Sequence, residues 1–290
     1  MQQKEEKIRV VGVSRGNEFS PNHIGNDAAI FKGAADELAK RGCEVTVFPE
    51  KEFVAEHIQA DFIFDMARDN ETIARLKELE NAGSLVINSA YGIDNCARQP
   101  MTELLIDNGI PHPKTWIIPT DGNTPLPNVF PYWIKRGDSH AMVKEDVVYV
   151  ECKREADMVL ADFRKRGIPM AVINEHLVGD LVKFYGVQGT DFFYSFYPTE
   201  QSHSKYGLEA INGKARGFPF DRNKLRDYAN KAAEVLRVPI YGGDCVVSST
   251  GEIRIIDFND WPSFAPCREE AAPYIAECIY NRIVSKLNNR

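Results

Sequence analysis

The first third of the chain alternates short apolar runs with stretches of helical periodicity. Four apolar runs have the length of buried strands and cover residues 8–13, 44–48, 61–65 and 84–88. Two helical patterns that stop at a glycine lie between them, at residues 27–41 and 72–82. Alternating strands and helices are typical of a parallel sheet with helices on its faces. We therefore expect a parallel α/β domain over residues 1–95.

The rest of the chain predicts a mixed arrangement of strands and helices. A helical pattern over residues 96–109 ends at Gly109, and a proline-rich segment follows it. Further strands are predicted at residues 115–118, 132–136, 147–151, 170–174, 181–187 and 191–197, and further helices at residues 154–166, 221–236 and 268–288. These elements suit two smaller α+β units behind the first domain.

Composition and charge exclude several classes of protein. Apolar residues make up 43% and charged residues 27% of the 290 residues, as in ordinary globular proteins. The net charge is −7 and no long basic run occurs, which argues against a nucleic-acid partner. No apolar stretch reaches the roughly 18 residues of a membrane span, and the N-terminus lacks a signal-like core. We expect a cytoplasmic protein without a membrane partner, in which six scattered cysteines are reduced thiols.

A β-hairpin near the C-terminus carries the strongest chemical signal. Two strand-like runs flank a loop of four residues, 249–252, which is a common hairpin length. If Ser248 pairs with Ile253, then Asp244 lies opposite Asp257 on the neighbouring strand. Like charges directly opposite each other destabilise a sheet, so a positive group is expected between the two carboxylates.

Asn259 continues the face of Asp257, because side chains two apart on a strand point the same way. A hard divalent cation suits carboxylate and amide oxygens, and Mg²⁺ usually shares such a site with substrate phosphates. The alternative is that the acids merely end two exposed strands.

Lys183 lies inside the apolar strand pattern of residues 181–187. A buried lysine without a partner is rare, so an anionic partner is expected. The alternative is a lysine on an edge strand that reaches water.

A long polar loop follows the first predicted strand and leads into a helix. Open α/β sheets bind ligands at the carboxyl ends of their strands, and a helix start favours anions. We take Arg15, His23 and Asn26 as candidate substrate contacts, with an ordinary surface loop as the alternative. Lys205 and Arg216, in a basic and polar stretch, are candidates for the same cleft.

Four segments resemble, in order along the chain, landmarks of the ATP-grasp superfamily, in particular of its glutathione synthetase ATP-binding-domain-like members. They are residues 88–113, Tyr132-Trp-Ile-Lys135, Val172-Ile-Asn-Glu-His176, and the hairpin with Gly243-Asp244 and Ile256-Asp-Phe-Asn259. The resemblance covers residues 85–285. It implies an N-terminal parallel-sheet domain, Rossmann-like and of the pre-ATP-grasp type, followed by a two-subdomain ATP-grasp fold. The expected boundaries are 1–95 for the first domain, 96–176 for the linker helix and small subdomain, and 177–290 for the subdomain with the metal site.

The resemblance also implies roles for individual residues. Asp244, Asp257 and Asn259 would hold one or two Mg²⁺ ions on ATP, with Mn²⁺ able to replace them. The catalytic residues would be Lys183, which would touch the γ-phosphate, and Arg98, which stands where the family commonly has a lysine. The nucleotide would be bound by Lys135, Gly137, Ser139, His140, Asn174, Glu175 and His176.

Two further positions depart from the family pattern. The loop after Lys135 holds one glycine, whereas the family's loop is glycine-rich so that backbone N–H groups can close over phosphates. Asp257 is one methylene shorter than the usual glutamate, so a bound metal would lie closer to the strand or be coordinated differently.

The resemblance implies an ATP- and Mg²⁺-dependent ligase that joins a small-molecule carboxylate to an amine or thiol through an acyl phosphate. Its partners would be small molecules, and a homodimer is allowed. One alternative is a small-molecule kinase of the inositol-phosphate-kinase type, which phosphorylates a hydroxyl; its polyphosphate substrate requires a strongly basic pocket, and the net charge of −7 weighs against this. Another is a nucleotide-binding module without catalysis, favoured if the loop after Lys135 does not close over ATP.

Overall fold

Three four-stranded sheets organise the chain in the computed structural model, which describes residues 7–19, 24–198 and 211–289. The first sheet is parallel and the other two are built from antiparallel pairs. This arrangement confirms the expected fold class, in which a parallel α/β sheet comes first in the chain and mixed α+β elements follow it. Within the described residues, no helix is long and apolar enough to cross a membrane.

The N-terminal sheet has the strand order β2-β1-β3-β4. Its strands are β1 (Arg9–Ser14), β2 (Glu44–Pro49), β3 (Phe62–Asp65) and β4 (Leu85–Ile87). The helices of this domain are α1 (Ile24–Lys40), α2 (Glu50–Ala55), α3 (Asn70–Asn81) and α4 (Ala90–Asn95). Helices cover both faces, so every residue of β3 is buried. The strand order reverses between β1 and β3, whose carboxyl ends therefore form the crevice that α/β sheets use for ligands.

The second sheet has the order β5-β8-β6-β7. Its strands are β5 (Thr115–Pro119), β6 (Tyr132–Arg136), β7 (Val147–Val150) and β8 (Met170–Glu175), and helix α6 (Lys153–Lys165) packs on it. Helix α5 (Arg98–Asp107) precedes β5 and buries its apolar residues in the core of the third sheet. The third sheet has the order β10-β9-β11-β12. Its strands are β9 (Asp180–Val187), β10 (Phe193–Phe196), β11 (Ile240–Val247) and β12 (Ile253–Asp260), and its helices are α7 (Arg222–Leu236) and α8 (Arg268–Asn288).

Helix α8 packs against the N-terminal parallel sheet and its helix α1. Its buried residues share one apolar core with α1 and with the strands of the parallel sheet. Gly33 of α1 faces Ala272 of α8 so closely that a Cβ on Gly33 would lie 3.2 Å from the Ala272 Cβ. The N-terminal domain and the third sheet are therefore packed as neighbours.

An aromatic cluster on the buried face fixes the strands of the hairpin. Phe258 of β12 is fully buried, with its ring 5.1 Å from that of Tyr241 and 6.0 Å from that of Phe184. Since side chains alternate along a strand, Asp257 and Asn259 on either side of Phe258 point away from this core and are only partly buried. Packing of one aromatic residue thus orients two polar ones.

The hairpin register differs from the expected one at the loop but not at the carboxylates. The predicted pairing of Ser248 with Ile253 is wrong by one residue, because Ile253 pairs with Val247. A bulge then adds one residue to β12, so that Asp244 does pair with Asp257. The close approach of the strands here depends on glycine, because a Cβ on Gly243 would lie 2.5 Å from the Asp257 carbonyl oxygen.

Candidate active site

Two carboxylates face each other across β11 and β12, and each is held by a cation of the protein. Lys183 on β9 is the register partner of Asp244, and its Nζ donates to both Asp244 carboxylate oxygens at 3.1 Å. Arg98, at the start of α5, donates from Nη1 and Nη2 to the two oxygens of Asp257 at 3.3 and 3.4 Å. The positive charge that the paired carboxylates require is thus supplied by side chains in this structure.

Asp257 is ionised at neutral pH. Burial acts to raise the pKa of its carboxyl, but Arg98, then Lys135 and His140, outweigh burial and hold that pKa below its usual value. An ionised carboxylate beside the partly buried Asn259 offers oxygen ligands on one face of β12.

Lys135 is a buried cation that interacts with the charges of Arg98, Asp257 and Asp244. Its side chain is 6% exposed, and its Nζ donates to the carbonyl oxygen of Ile256 at 3.0 Å. Ile256 is the extra residue of the bulge, which leaves its backbone outside the ladder between β11 and β12. Burial, followed by the charge of Arg98, lowers the pKa of Lys135 to about 7.

Binding of an anion next to Lys135 is expected to cause proton uptake near neutral pH. With a pKa of about 7, roughly half of the Lys135 side chains are neutral at pH 7, and a phosphate would raise the pKa and charge the rest. Uptake should therefore approach about 0.5 proton at pH 7, grow above pH 7 and vanish near pH 5. Calorimetric titration with ATP in buffers of different ionisation enthalpy measures it. If a Lys135→Met variant took up as many protons on binding ATP as the wild type, Lys135 would not be the group that takes up the proton.

The loop after Lys135 contains three of the candidate nucleotide contacts. The Gly137 N–H donates to the Met170 carbonyl at 2.9 Å, so this group extends the sheet and is already engaged. Ser139 Oγ donates to the His140 carbonyl at 3.1 Å. His140 Nε2 lies 3.8 Å from Asp260 Oδ1, and neither atom has a hydrogen-bond partner among the described residues. Contact of these residues with a nucleotide stays a prediction.

Asp146 anchors the base of the same loop. Its fully buried carboxylate accepts the N–H groups of Met142 at 2.7 Å and Val143 at 3.1 Å and pairs with Arg136 and Arg166. Burial acts to raise the pKa of Asp146, but the Val143 N–H and then Arg166 outweigh it and lower the pKa. A buried carboxylate thus orders a loop that has only one glycine.

Asp146→Asn is expected to destabilise the protein by about 2 kcal/mol, because charge-assisted hydrogen bonds are lost from a buried position. Urea unfolding at pH 7 measures the loss. Since the folded pKa lies below the unfolded one, the contribution is complete above the unfolded pKa and is lost as pH falls through the folded value. The difference between wild type and variant should therefore shrink at acid pH. A difference that does not depend on pH would show that the carboxylate charge is not involved.

The candidate adenine and ribose contacts lie at the end of β8. Asn174 is buried and its Nδ2 donates to Thr115 Oγ1 at 2.7 Å. Glu175 accepts from the Lys114 N–H at 2.8 Å and from Arg254 at 2.7 Å. His176 Nδ1 accepts from the Trp133 indole N–H at 3.2 Å and its ring packs on Tyr149, as expected of a packing histidine. Contact of this segment with a nucleotide stays a prediction.

A small cavity lies at the crevice where the strand order of the first sheet reverses. It has a volume of about 120 Å³ and is lined by residues that include Ser14, Arg15, Asn17, Asp27, Phe31 and Met66. Arg15 donates to Asp27 at 2.9 Å, to the Met66 carbonyl at 3.1 Å and to the Trp261 carbonyl at 3.2 Å. The candidate substrate residue Arg15 therefore borders a cavity that presents one cation and one carboxylate.

The other candidate substrate residues are not gathered in this cavity. Asn26 Oδ1 accepts from Arg268 at 2.5 Å. The Arg216 N–H donates to Asp180 at 2.8 Å, in the third sheet, and its guanidinium packs on Phe218. His23 and Lys205 lie outside the described residues.

Sequence reasoning missed a charged junction between the first and third sheets. Arg68, after β3, pairs with Asp260, which is 2% exposed and directly follows Asn259. Glu50 is equally buried and accepts the N–H groups of Gly16, Arg68 and Asp69 at 2.7–3.0 Å, which fixes the loops after β1 and β3. In the sequence, only the position of each acid pointed to a role. Asp260 directly follows the candidate metal ligand Asn259, and Glu50 starts a helix after a proline.

The donor set suits a metal that is shared with a ligand. Among the described residues, no group of three or more His, Cys, Asp or Glu side chains could hold a metal ion. Asp244, Asp257 and Asn259 nevertheless supply hard oxygen donors on paired strands. Such a set fits Mg²⁺, which commonly takes one or two carboxylates and completes its octahedron with phosphates and water.

The sequence matches no family model and no curated protein, whereas the fold matches known structures. D-alanine–D-alanine ligase from Bacillus anthracis complexed with ATP is 13% identical, with a TM-score of 0.65 over 94% of this chain and 96% of that chain. D-alanyl-alanine synthetase A from Vibrio cholerae is 12% identical, with a TM-score of 0.66 over 96% of this chain and 99% of that chain. The ATP-grasp ligase PsnB is 16% identical, with a TM-score of 0.60 over 95% of this chain and 99% of that chain. The chain therefore has the ATP-grasp fold, as its sequence motifs implied.

Proposed function

We propose that the protein is an ATP- and Mg²⁺-dependent ligase that joins a small-molecule carboxylate to an amine or thiol through an acyl phosphate. One observation carries the proposal. Three cationic side chains and two carboxylates from separate segments meet at the paired strands β11 and β12: Arg98, Lys135, Lys183, Asp244 and Asp257. Two structural neighbours named as ligases, one of them crystallised with ATP, and one named as a synthetase support the same function.

Each of these residues has a task that follows from its charge and position. Lys135 and Lys183 would neutralise the charge on the phosphates and on the phosphoryl group in transfer, which is where most catalysis of this reaction arises. Arg98 would hold Asp257 in place and supply a further cation to the same group. Asp244, Asp257 and Asn259 would hold Mg²⁺, which would screen phosphate charge when bound.

No nucleophilic side chain is required by this chemistry, because the substrate carboxylate attacks the γ-phosphorus of ATP and ADP leaves. The amine or thiol then attacks the acyl carbon and phosphate leaves. The cavity beside Arg15 is the candidate place for one of these substrates. Its guanidinium and the Asp27 carboxylate would complement a small molecule that carries both an acidic and an amino group.

The test follows γ-labelled phosphate from ATP with Mg²⁺, the purified protein and fractionated pools of small metabolites. Label released as free phosphate only when an acid and an amine or thiol are both present would support the ligase. Added hydroxylamine should trap the acyl phosphate as a hydroxamate when the nucleophile is left out. Label retained on a metabolite and resistant to hydroxylamine would contradict the ligase and indicate transfer to a hydroxyl.

A further inference from the structure

Both carboxylates of the candidate metal site are neutralised by the protein itself. Lys183 contacts both oxygens of Asp244 at 3.1 Å, and Arg98 spans both oxygens of Asp257 at 3.3 and 3.4 Å. Arg98 is only 4% exposed, so it has little freedom to turn towards solvent. A divalent cation that arrived alone would have to displace these cations or bind against their repulsion.

Lys135, when protonated, makes the net charge of these groups more positive. Its Nζ contacts a neutral carbonyl, that of Ile256, and its charge interacts with those of Arg98, Asp257 and Asp244. Among these five described groups, the cations outnumber the carboxylates by one when Lys135 is protonated, as it is below pH 7. Such a centre repels a bare metal ion and attracts a polyanion, and low local dielectric strengthens both effects.

The described part of the chain also offers too few oxygen ligands for a metal on its own. Two carboxylates and one amide face the site, and no larger group of acidic, His or Cys ligands exists among residues 7–19, 24–198 and 211–289. The remaining positions of an octahedral ion would come from phosphate oxygens and water.

We propose that this site binds a polyphosphate anion before it binds a divalent cation, with Arg98 and Lys183 as counter-cations that occupy the two carboxylates until phosphates arrive. The inference rests on the proposed function, because it concerns the same nucleotide site. Phosphate oxygens give the two cations new partners, and the carboxylate oxygens then become available to a metal. The order of binding is thereby built into the ion pairs.

The first experiment measures each ligand alone with the wild-type protein. Calorimetric titration gives the affinity for ATP and for inorganic triphosphate in EDTA, and the electron paramagnetic resonance signal of free Mn²⁺ gives the affinity for Mn²⁺ without nucleotide. We expect triphosphate in EDTA to bind at least about 100-fold more tightly than Mn²⁺ alone. ATP should then raise the Mn²⁺ affinity, and by linkage Mn²⁺ should raise the ATP affinity by the same factor.

The second experiment uses a variant whose two effects have opposite signs. Lys183→Met should tighten binding of Mn²⁺ alone by about ten-fold, because the Lys183 cation no longer contacts Asp244, and should weaken binding of triphosphate in EDTA by about ten-fold. Lys153→Met is the matched control, because it removes a lysine–aspartate pair with a 2.7 Å contact on the exposed face of α6. Both affinities should be unchanged in this control.

The outcomes separate the inference from the function on which it rests. If Mn²⁺ alone binds as tightly as triphosphate, or if ATP binds only when metal is present, the proposed binding order is wrong. Neither result would contradict the proposed ligase function. A protein that binds ATP neither with nor without metal would overturn the proposed function, and the inference with it. If the Lys183→Met protein does not fold, the wild-type affinities for triphosphate and for Mn²⁺ alone still test the binding order.

Discussion

Asp257→Asn is expected to lower Mg²⁺-dependent phosphate release from ATP by about 1,000-fold, the loss typical of removing one key charge from a preorganised site. The amide keeps the shape of the side chain but removes the negative charge that faces a metal and Arg98. The measurement is release of labelled phosphate at saturating ATP and Mg²⁺ with the active metabolite pool.

The same substitution should also reduce stability, by about 1–3 kcal/mol, because the buried Arg98 loses its charged partner. Urea unfolding separates this loss from the catalytic one. Asp221→Asn is the matched control: Asp221 caps α7 by accepting two backbone N–H groups, and Asn caps a helix equally well. That control should keep both activity and stability. Wild-type turnover in a folded Asp257→Asn protein would show that the metal assignment is wrong.

Lys183→Met is expected to lower turnover by about 100- to 1,000-fold but to weaken the affinity for ATP by only about ten-fold. The difference arises because a cation next to the transferred phosphoryl group is worth most when charge develops in the transition state. Asp244 is a quarter exposed, so water can solvate its carboxylate and the fold should survive the substitution.

Steady-state kinetics measures the two effects as kcat and KM, together with the Kd for ATP from calorimetry. Lys153→Met again serves as the control, because it removes an exposed lysine–aspartate pair without touching the site. A Lys183→Met protein with unchanged kcat and a raised KM would assign Lys183 to ground-state binding alone and would remove it from the catalytic residues.

Local patterns along the chain were sufficient for much of the architecture. Apolar runs separated by glycine-terminated helical stretches predicted the parallel sheet, because strand and helix periods are properties of neighbouring residues. The pattern did not predict the short helices α2 and α4. Each has only six residues, which are too few to show a helical period. The pairing of Asp244 with Asp257 was also predicted, since a hairpin joins strands that are close in sequence.

The bulge in β12 illustrates the limit of that reasoning. The loop register was wrong by one residue, and the extra residue Ile256 restored the carboxylate pairing. A bulge is not specified by a strand's own alternation of residues. Here it lies two residues before Phe258, whose ring packs in the aromatic core.

The sequence by itself determined the order of the elements, the paired carboxylates and the expectation that a cation lies near them. Only the tertiary structure decided which cations these are: Arg98 is separated from Asp257 by 159 positions, and Lys183 from Asp244 by 61. It also decided that Arg68 and Asp260, 192 positions apart, join the first and third sheets. Charged side chains carry no periodic signal of their own, and their partners are chosen by the packing of distant elements, which brings the groups close enough for ion pairing to offset the cost of burial.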